Sequence, residues 1–168
     1  TVLILITLVF SAVAQEDDGS SVLVRDVTLR EMKISGPRIG FTSVHGPLVD
    51  ELDERGIDPI MSQFGWHIEH RFISDTGKMA VLVQLVPLIG GVEQNTFLPS
   101  FSLMTGLRSA NGWEAGIGPN FSAAGASVIF AVGRSFNLDG IHLPVNLAYA
   151  HSKKGGRLSF LIGFGLTQ

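Results

Sequence analysis

Ionisable residues recur at alternate positions along several short segments of the chain. His67, Glu69 and Arg71 alternate with apolar residues, so they would share one face of a β-strand. Charges withdrawn from water persist only when they are paired, which favours a salt-bridged polar core. A proton- or ion-conducting lumen and a small polar-ligand site are the alternatives. The same alternation assigns five further residues to this interior, namely Arg38, Arg108, Glu114, His142 and Arg157.

Other combinations of reactive residues are too weak to predict catalysis. His67 and His70 are three positions apart, so a strand would place them on opposite faces and exclude a shared metal. His151 and Ser152 are adjacent and would diverge in the same way. The chain contains no cysteine, which removes disulfides, thiolate catalysis and cysteine-based metal sites. We therefore expect no catalytic residues, no metal and no cofactor.

Composition limits the size and the partners of the protein. The chain has 168 residues and a formal net charge of -3. This length allows one domain, and the charge provides no basic excess for binding nucleic acid.

The first part of the chain has the pattern of an export signal. Residues 2–10 are apolar and are followed by Ala12-Val13-Ala14, a small-x-small cleavage pattern. The run is shorter than the roughly 20 residues of a membrane-spanning helix. We predict a signal peptide over residues 1–14 and a flexible or extended segment over 15–35. Within that segment, residues 22–34 have apolar residues at both strand and helix spacing, and we interpret them as extended.

From Gly36 to the end, the chain alternates between bulky apolar residues and small or polar ones. In the last segment, Leu158, Phe160 and Ile162 oppose Arg157, Ser159 and Gly163, and Leu161 is the exception. Similar alternation marks the segments that begin near residues 38, 64, 80, 97, 113, 127 and 142. The pattern predicts an all-β, antiparallel up-and-down barrel of about eight strands over residues 36–168.

The connections between these segments support a barrel of hairpins. Asp75-Thr76-Gly77, Asn111-Gly112 and Asp139-Gly140 are tight-turn signals, and they fall on alternate connections. All three turns should therefore lie at the same end. The first connection at the opposite end is long, and its residues 47–56 predict a short helix between Pro47 and Gly56.

The polar face helps to decide which medium surrounds the barrel. From Met79 to Gln168 the charged residues are too few to cover a sheet exposed to water. Gly, Ser and Ala dominate the second face, which suits a narrow interior. We therefore expect lipid outside the barrel and a polar lumen inside it.

Taken together, these features resemble the small outer-membrane β-barrel proteins of Gram-negative bacteria. Over residues 35–168, the chain also resembles an uncharacterised family of exported bacterial proteins in its Gly/Pro-rich strand ends, such as Ser35-Gly36-Pro37, Phe64-Gly65-Trp66 and Gly116-Ile117-Gly118. The resemblance implies a barrel in the outer membrane and no particular activity. One departure is that Thr167 and Gln168 follow the last aromatic residue, where such barrels commonly end on an aromatic insertion signal.

The sequence thus favours a non-enzymatic outer-membrane barrel with a structural, adhesive or limited-permeability role. The expected partners are outer-membrane lipid and the barrel-insertion machinery, and the expected state is a monomer. Two alternatives belong to other classes. One is a lipid-acting hydrolase with His151 or His142 as its base, and the other is a soluble periplasmic barrel that carries an apolar ligand.

Overall fold

The chain forms one antiparallel sheet that closes on itself. The computed structural model describes residues 30–73, 78–138 and 141–167. Strands β1 to β8 pair in chain order, and β1 also pairs with β8, so the expected all-β up-and-down barrel is confirmed. The strands are β1 Arg30–His45, β2 Ile60–Ile73, β3 Met79–Gly90, β4 Leu98–Ser109, β5 Trp113–Ser122, β6 Gly125–Leu138, β7 Ile141–Ser152, β8 Gly155–Gly163 and β9 Gly165–Thr167.

The short strand β9 continues β8 without a change of register. Ile39 of β1 pairs with Ile162 of β8, and Ser35 of β1 pairs with Leu166 of β9 at the same offset. The two segments therefore form one interrupted strand, and the barrel is eight-stranded.

The first strand begins at Arg30, upstream of the predicted barrel boundary at Gly36. The segment with both strand and helix spacing is 22–34, which we interpret as extended. Its described part, from residue 30, is a strand because it pairs with β2, with Arg30 opposite Ile73. Gly40 brings β1 very close to β8. A Cβ atom there would lie 1.8 Å from the carbonyl oxygen of Phe160, so only glycine fits.

The two faces of the sheet separate as the alternation predicts. Phe160 and Ile162 point outward with 48% and 44% of their surface exposed, whereas Leu161 between them is buried. Leu161 belongs to an apolar cluster in the middle of the lumen. The other members of this cluster are Val86, Leu88, Met104, Ile129, Ala131, Ala148 and Ala150.

The barrel has two unlike ends. The β2–β3, β4–β5 and β6–β7 connections share the turn end, and the other four connections share the loop end. At the turn end, Gly112 has a φ of +84°, and its N–H donates to the carbonyl of Ser109 at 3.0 Å. The predicted turns at residues 75–77 and 139–140 include residues outside the described ranges.

The loop end is covered by the predicted helix, which is confirmed as α1, Leu48–Asp53. The helical turns give way at Gly56, whose φ is +67°. Leu48 is buried in a second apolar cluster that consists of Val44, Leu48, Ile57 and Met61. This cluster packs α1 against the end of β1 and the start of β2, at the loop end of the barrel.

No helix in the described part of the chain is long and apolar enough to cross a membrane. The predicted signal peptide, residues 1–14, and most of the segment 15–35 lie outside the described residues.

Candidate functional site in the barrel lumen

Arg108 is the centre of a buried ionic network in the lumen. Its Nη1 and Nη2 donate to the two carboxylate oxygens of Glu69 at 2.6 and 2.7 Å. Its Nε donates to Oε2 of Glu114 at 2.7 Å, and its Nη2 also bonds to that oxygen. One guanidinium therefore bridges two carboxylates, one of which, Glu69, is only 1% exposed.

Further side chains complete the hydrogen bonding of these carboxylates. Glu69 Oε1 accepts from Arg71 Nε and Nη2 at 3.1 and 3.0 Å, and its Oε2 accepts from Gln84 Nε2 at 3.0 Å. His67 Nε2 lies 3.7 Å from the same Oε2. Asn146 Nδ2 donates to Glu114 Oε1. Side chains from β2, β3, β4, β5 and β7 thus meet in one network across the lumen.

Strand register explains part of this network. Arg108 and Glu114 lie directly opposite each other on β4 and β5, and Glu69 lies opposite Gln84 on β2 and β3. The bond between Glu69 and Arg108 instead passes across β3. Ala80 of β3 pairs with Arg108, and its small side chain allows the arginine to reach over it.

Glu69 and Glu114 differ in how many arginines they bind. The eight residues assigned to the lumen include four arginines and only two glutamates, which predicts that each glutamate serves more than one arginine. Glu69 does so, since it accepts from both Arg71 and Arg108, whereas Glu114 accepts from Arg108 and from the amide of Asn146. Asn146 of β7 reaches Glu114 of β5 across Gly133 of β6, which pairs with both residues and has no side chain in the way.

Arg38 is buried in the lumen but lies outside the salt bridges of the network. It is 5% exposed, and its Nη1 has no hydrogen-bond partner within the described part of the protein. None of the salt bridges formed by the described residues involves it. A buried guanidinium group without a carboxylate in contact is energetically costly.

Arg157 lies apart from the network, nearer the loop end. Its Nη2 donates to Asn120 Oδ1 and to Ser127 Oγ, the latter at 3.3 Å. Asn120 in turn donates through Nδ2 to Ser102 Oγ at 2.9 Å. Arg157 is therefore solvated by neutral groups and not by a carboxylate.

His142 occupies the turn end of the lumen. With Arg71 and Arg108 it lines an opening of about 400 Å³ toward that end. A small cavity of about 10 Å³ adjoins this opening, and seven of the eight expected lumen residues meet around it. Six of them line it, namely Arg38, His67, Glu69, Arg71, Arg108 and His142. The seventh, Glu114, is bound to Arg108. Arg157 is the member that the structure places elsewhere.

Sequence reasoning missed the neutral partners in the lumen. Gln84 lies between the inward-facing Leu82 and Val86, so its parity on β3 marks it as interior. Asn120 and Asn146 lie on the polar face of their strands, but nothing in the alternation shows which charged group each one meets.

The residues considered for catalysis do not come together. His151 points outward and stacks on Tyr149, with ring centroids 6.2 Å apart, while Ser152 donates to the carbonyl of Gly155 at 2.9 Å. His67 is buried in the lumen, and His70 lies on the opposite face, 3.0 Å from Glu31. Among the described residues, no group of three or more side chains could hold a metal ion.

A second polar contact lies at the loop end. Glu93, in the 3₁₀ turn Val92–Gln94, accepts from the backbone N–H of Ser62 at 2.7 Å and from its hydroxyl. These hydrogen bonds lower the pKa of Glu93 below its ordinary value, because they favour the charged carboxylate. They fasten the β3–β4 connection to the start of β2.

Comparison with known proteins identifies the fold. No family model and no curated protein matches the chain. The fold is similar to that of Ail, the attachment invasion locus protein of Yersinia pestis, with a TM-score of 0.53, 14% identity and coverage of 80% of this chain and 98% of that one. Ail in complex with the heparin analogue sucrose octasulfate gives a TM-score of 0.52 at 13% identity, covering 81% and 99% of the two chains. The backbone structure of this outer membrane protein in a phospholipid bilayer nanodisc gives 0.50 at 14% identity, covering 80% and 99%.

Proposed function

We propose that this chain is a non-enzymatic outer-membrane β-barrel that is closed to solute flow and acts through its loop end, in a structural or adhesive role. One observation carries the proposal. Bulky apolar side chains cover the outside of the barrel, while the inside holds a buried ionic network beside a smaller apolar cluster. This is the arrangement of a barrel that has lipid around it.

The outward face supports a membrane setting in detail. On β3, β4, β5 and β8, none of the described outward positions carries a charge. Near the turn end, Arg134 lies 5.6 Å from the ring centre of Trp113 and 5.1 Å from that of Phe136. An arginine that stacks on aromatic rings at a strand end is typical of the membrane–water boundary, where aromatic girdles lie.

The interior supports a closed barrel. The Arg108 network crosses the lumen from β2 to β5 and β7, the apolar cluster fills the middle, and α1 covers the loop end. The inner cavities found among the described residues have volumes of only about 10, 50 and 60 Å³. Because the apolar face lies outside, the geometry gives no support to a soluble barrel that carries an apolar ligand. The separation of His151 from Ser152 likewise gives none to a hydrolase built on that pair.

An adhesive role would use the loop end, and its charge indicates which partners suit it. The similar barrel Ail is named for attachment and invasion and has been seen with a heparin analogue. In this chain, α1 and its flanks carry Asp50, Glu51, Asp53 and Glu54, and Lys154 is already 3.3 Å from Glu51. This acidic surface favours neutral or basic partners over sulfated polymers.

A substitution of one outward-facing residue of β8 tests the membrane assignment. Ile162→Arg should prevent stable insertion, because an arginine that faces the middle of the bilayer costs ~2–4 kcal/mol in such barrels. The measurement is recovery in the outer-membrane fraction with heat-modifiable gel mobility. Ile162→Val is the matched control and should insert normally. Normal insertion of the arginine variant would overturn the lipid-facing assignment.

Orientation and closure are tested on the assembled barrel. Trypsin added to intact cells should cut after the exposed Arg55, since we place α1 outside the cell. Protection of this bond, under conditions that cut a control surface protein, would contradict the orientation. In planar bilayers, the purified barrel should show no steady conductance, and a stable open pore would contradict the closed lumen.

Attachment is tested with cells that display the barrel. Their binding to neutral or basic surfaces should exceed that of cells that display a version with residues 48–55 replaced by a Gly/Ser segment. Equal binding by the two kinds of cell would contradict an adhesive role for residues 48–55 and would favour the structural role.

A further inference from the structure

A cavity of about 50 Å³ lies inside the barrel between the charged network and the loop end. Arg38 and Arg157 both line it, and so do the amide side chains of Gln63 and Asn120. The apolar cluster supplies much of the remaining wall. The side chains of two arginines therefore line one small cavity.

The charges around this cavity do not balance. Glu69 and Glu114 are bound by Arg71 and Arg108, so two acids and two bases neutralise each other. Arg38 and Arg157 add two positive charges, and the described salt bridges include neither of them. Arginine stays protonated in proteins, so this excess cannot be relieved by loss of a proton. A counter-charge inside the cavity would relieve it.

Among the described residues, two of the three buried side-chain atoms without a hydrogen-bond partner belong to this cavity, and the third, Ser135 Oγ, lies near the turn end. Arg38 Nη1 is a buried donor without a partner, and Gln63 Oε1 is a buried acceptor without one. Both residues line the cavity. Buried polar groups are normally hydrogen-bonded, so an exception of each kind at one cavity calls for an occupant.

We propose that this cavity binds a small monovalent inorganic anion of the halide class, such as chloride, at Nη1 of Arg38, with Arg157 adding positive charge from the loop-end part of the same cavity. A water that shares the cavity with the anion donates to Gln63 Oε1. One water requires roughly 10–15 Å³ of such volume, so the cavity has room for one small anion and its water. It is too small for a sugar sulfate.

The geometry also indicates the route of entry. A second cavity, of about 60 Å³ beneath α1, shares Thr42, Gln63, Ser100 and Arg157 with the first one. On the opposite side, the Arg108 network closes the lumen. The anion therefore exchanges with the loop end, past α1.

The test compares thermal unfolding of the detergent-solubilised barrel in sodium chloride and in sodium gluconate at equal ionic strength. Chloride should raise the Tm in a saturable way, as a ligand of the folded state does. Arg38→Gln should shift the midpoint of this titration by about tenfold or more, or abolish the response. Arg30→Gln, which changes an exposed arginine at the turn end of β1, away from both cavities, is the matched control and should respond like the unmodified protein.

A second measurement does not depend on the variants folding. Crystals of the unmodified barrel soaked in sodium bromide should show an anomalous scattering peak within hydrogen-bonding distance of Arg38 Nη1. An equal chloride response in the Arg38→Gln variant, no chloride response at all, or crystals without bromide in this cavity would each overturn the proposal.

Discussion

In the half of the lumen nearer the turn end, Glu69 and Glu114 both form salt bridges with Arg108. In the half nearer the loop end, Thr42 bonds to Ser159 and Arg157 bonds to neutral side chains. Both halves are polar and narrow, but their interactions differ in kind. Removing one charged partner leaves another charge unpaired, whereas removing Ser159 leaves only the hydroxyl dipole of Thr42 unpaired.

This difference teaches where the barrel tolerates change. The turn-end half depends on exact complementarity among several strands, so one substitution there affects all of them. The loop-end half depends on apolar contact with α1 and on single hydrogen bonds, so its substitutions should act locally. The following predictions test this contrast in order of decreasing effect.

Glu69→Ala should be the most damaging of these changes. It removes the carboxylate that accepts from Arg71, Gln84 and Arg108, and it leaves buried positive charge uncompensated. We expect a loss of roughly 3–5 kcal/mol in the free energy of unfolding. The measurement is urea unfolding in detergent, followed by gel mobility or tryptophan fluorescence.

Glu51→Ala is the control for that loss. Glu51 also has two basic contacts, Arg55 and Lys154 at 3.4 and 3.3 Å, but all three side chains are exposed. Exposed ion pairs contribute little, so the free energy of unfolding should stay nearly unchanged. If the Glu51 and Glu69 variants unfold alike, burial of the network does not matter and the contrast is wrong.

Leu48→Ala should have an intermediate effect that is confined to the loop end. Leu48 is 4% exposed and packs α1 against Val44 and Met61. Truncation of a buried leucine costs about 2–5 kcal/mol, and here this loss should free α1 before the barrel opens. Hydrogen exchange should rise across residues 46–57 and stay unchanged at the turn end. Faster exchange at both ends would show that the two halves are not independent.

Thr42→Val should have a smaller effect. It removes the hydroxyl that bonds to Ser159, and it keeps the shape of a side chain that is 1% exposed. A neutral hydrogen bond contributes about 1 kcal/mol, so we expect a loss near that value in the unfolding free energy. A loss as large as that of Glu69→Ala would contradict the distinction between neutral and charged interactions.

The smallest effect concerns pH at the loop end. Hydrogen bonds from Ser62 depress the pKa of Glu93, so the stabilisation they bring is present above its ordinary value of 4.5 and is lost as the pH falls through the lower folded value. The protection of the Ser62 amide, measured against its intrinsic exchange rate at each pH, should therefore fall below pH 4.5. Glu93→Gln should show little pH dependence in the same range, and identical pH profiles would exclude Glu93 as the cause.

Much of this fold could be predicted because a barrel imposes a period of two on its sequence. The alternation along residues 158–162 assigned the faces of β8, and the Pro47 and Gly56 signals located α1. The start of β1 was not predictable, because residues 22–34 fit two periodicities equally well and only the end of β2 decides between them.

The candidate site was predictable as a set of inward residues but not as a set of bonds. Alternation shows that Arg157 and Glu114 face inward, and it does not show how far each lies along the barrel axis. That position depends on the register of strands distant in sequence, which places Arg157 beside Asn120 and Glu114 beside Asn146. For the same reason, no spacing rule indicated that Arg38 would be left without a carboxylate.

The pairing of β1 with β8, which closes the barrel at this seam, has a consequence for how the protein folds. Thr42 and Ser159, which bond across this seam, are 117 positions apart. Contacts of such high sequence separation are slow to form because a long stretch of chain must first be brought together. Until the end of the chain is available, β1 and β7 remain edges with unpaired backbone groups, which lipid cannot hydrate. Closure should therefore be the late, cooperative step of assembly, and a chain halted before β8 would present two edges open to pairing with other chains.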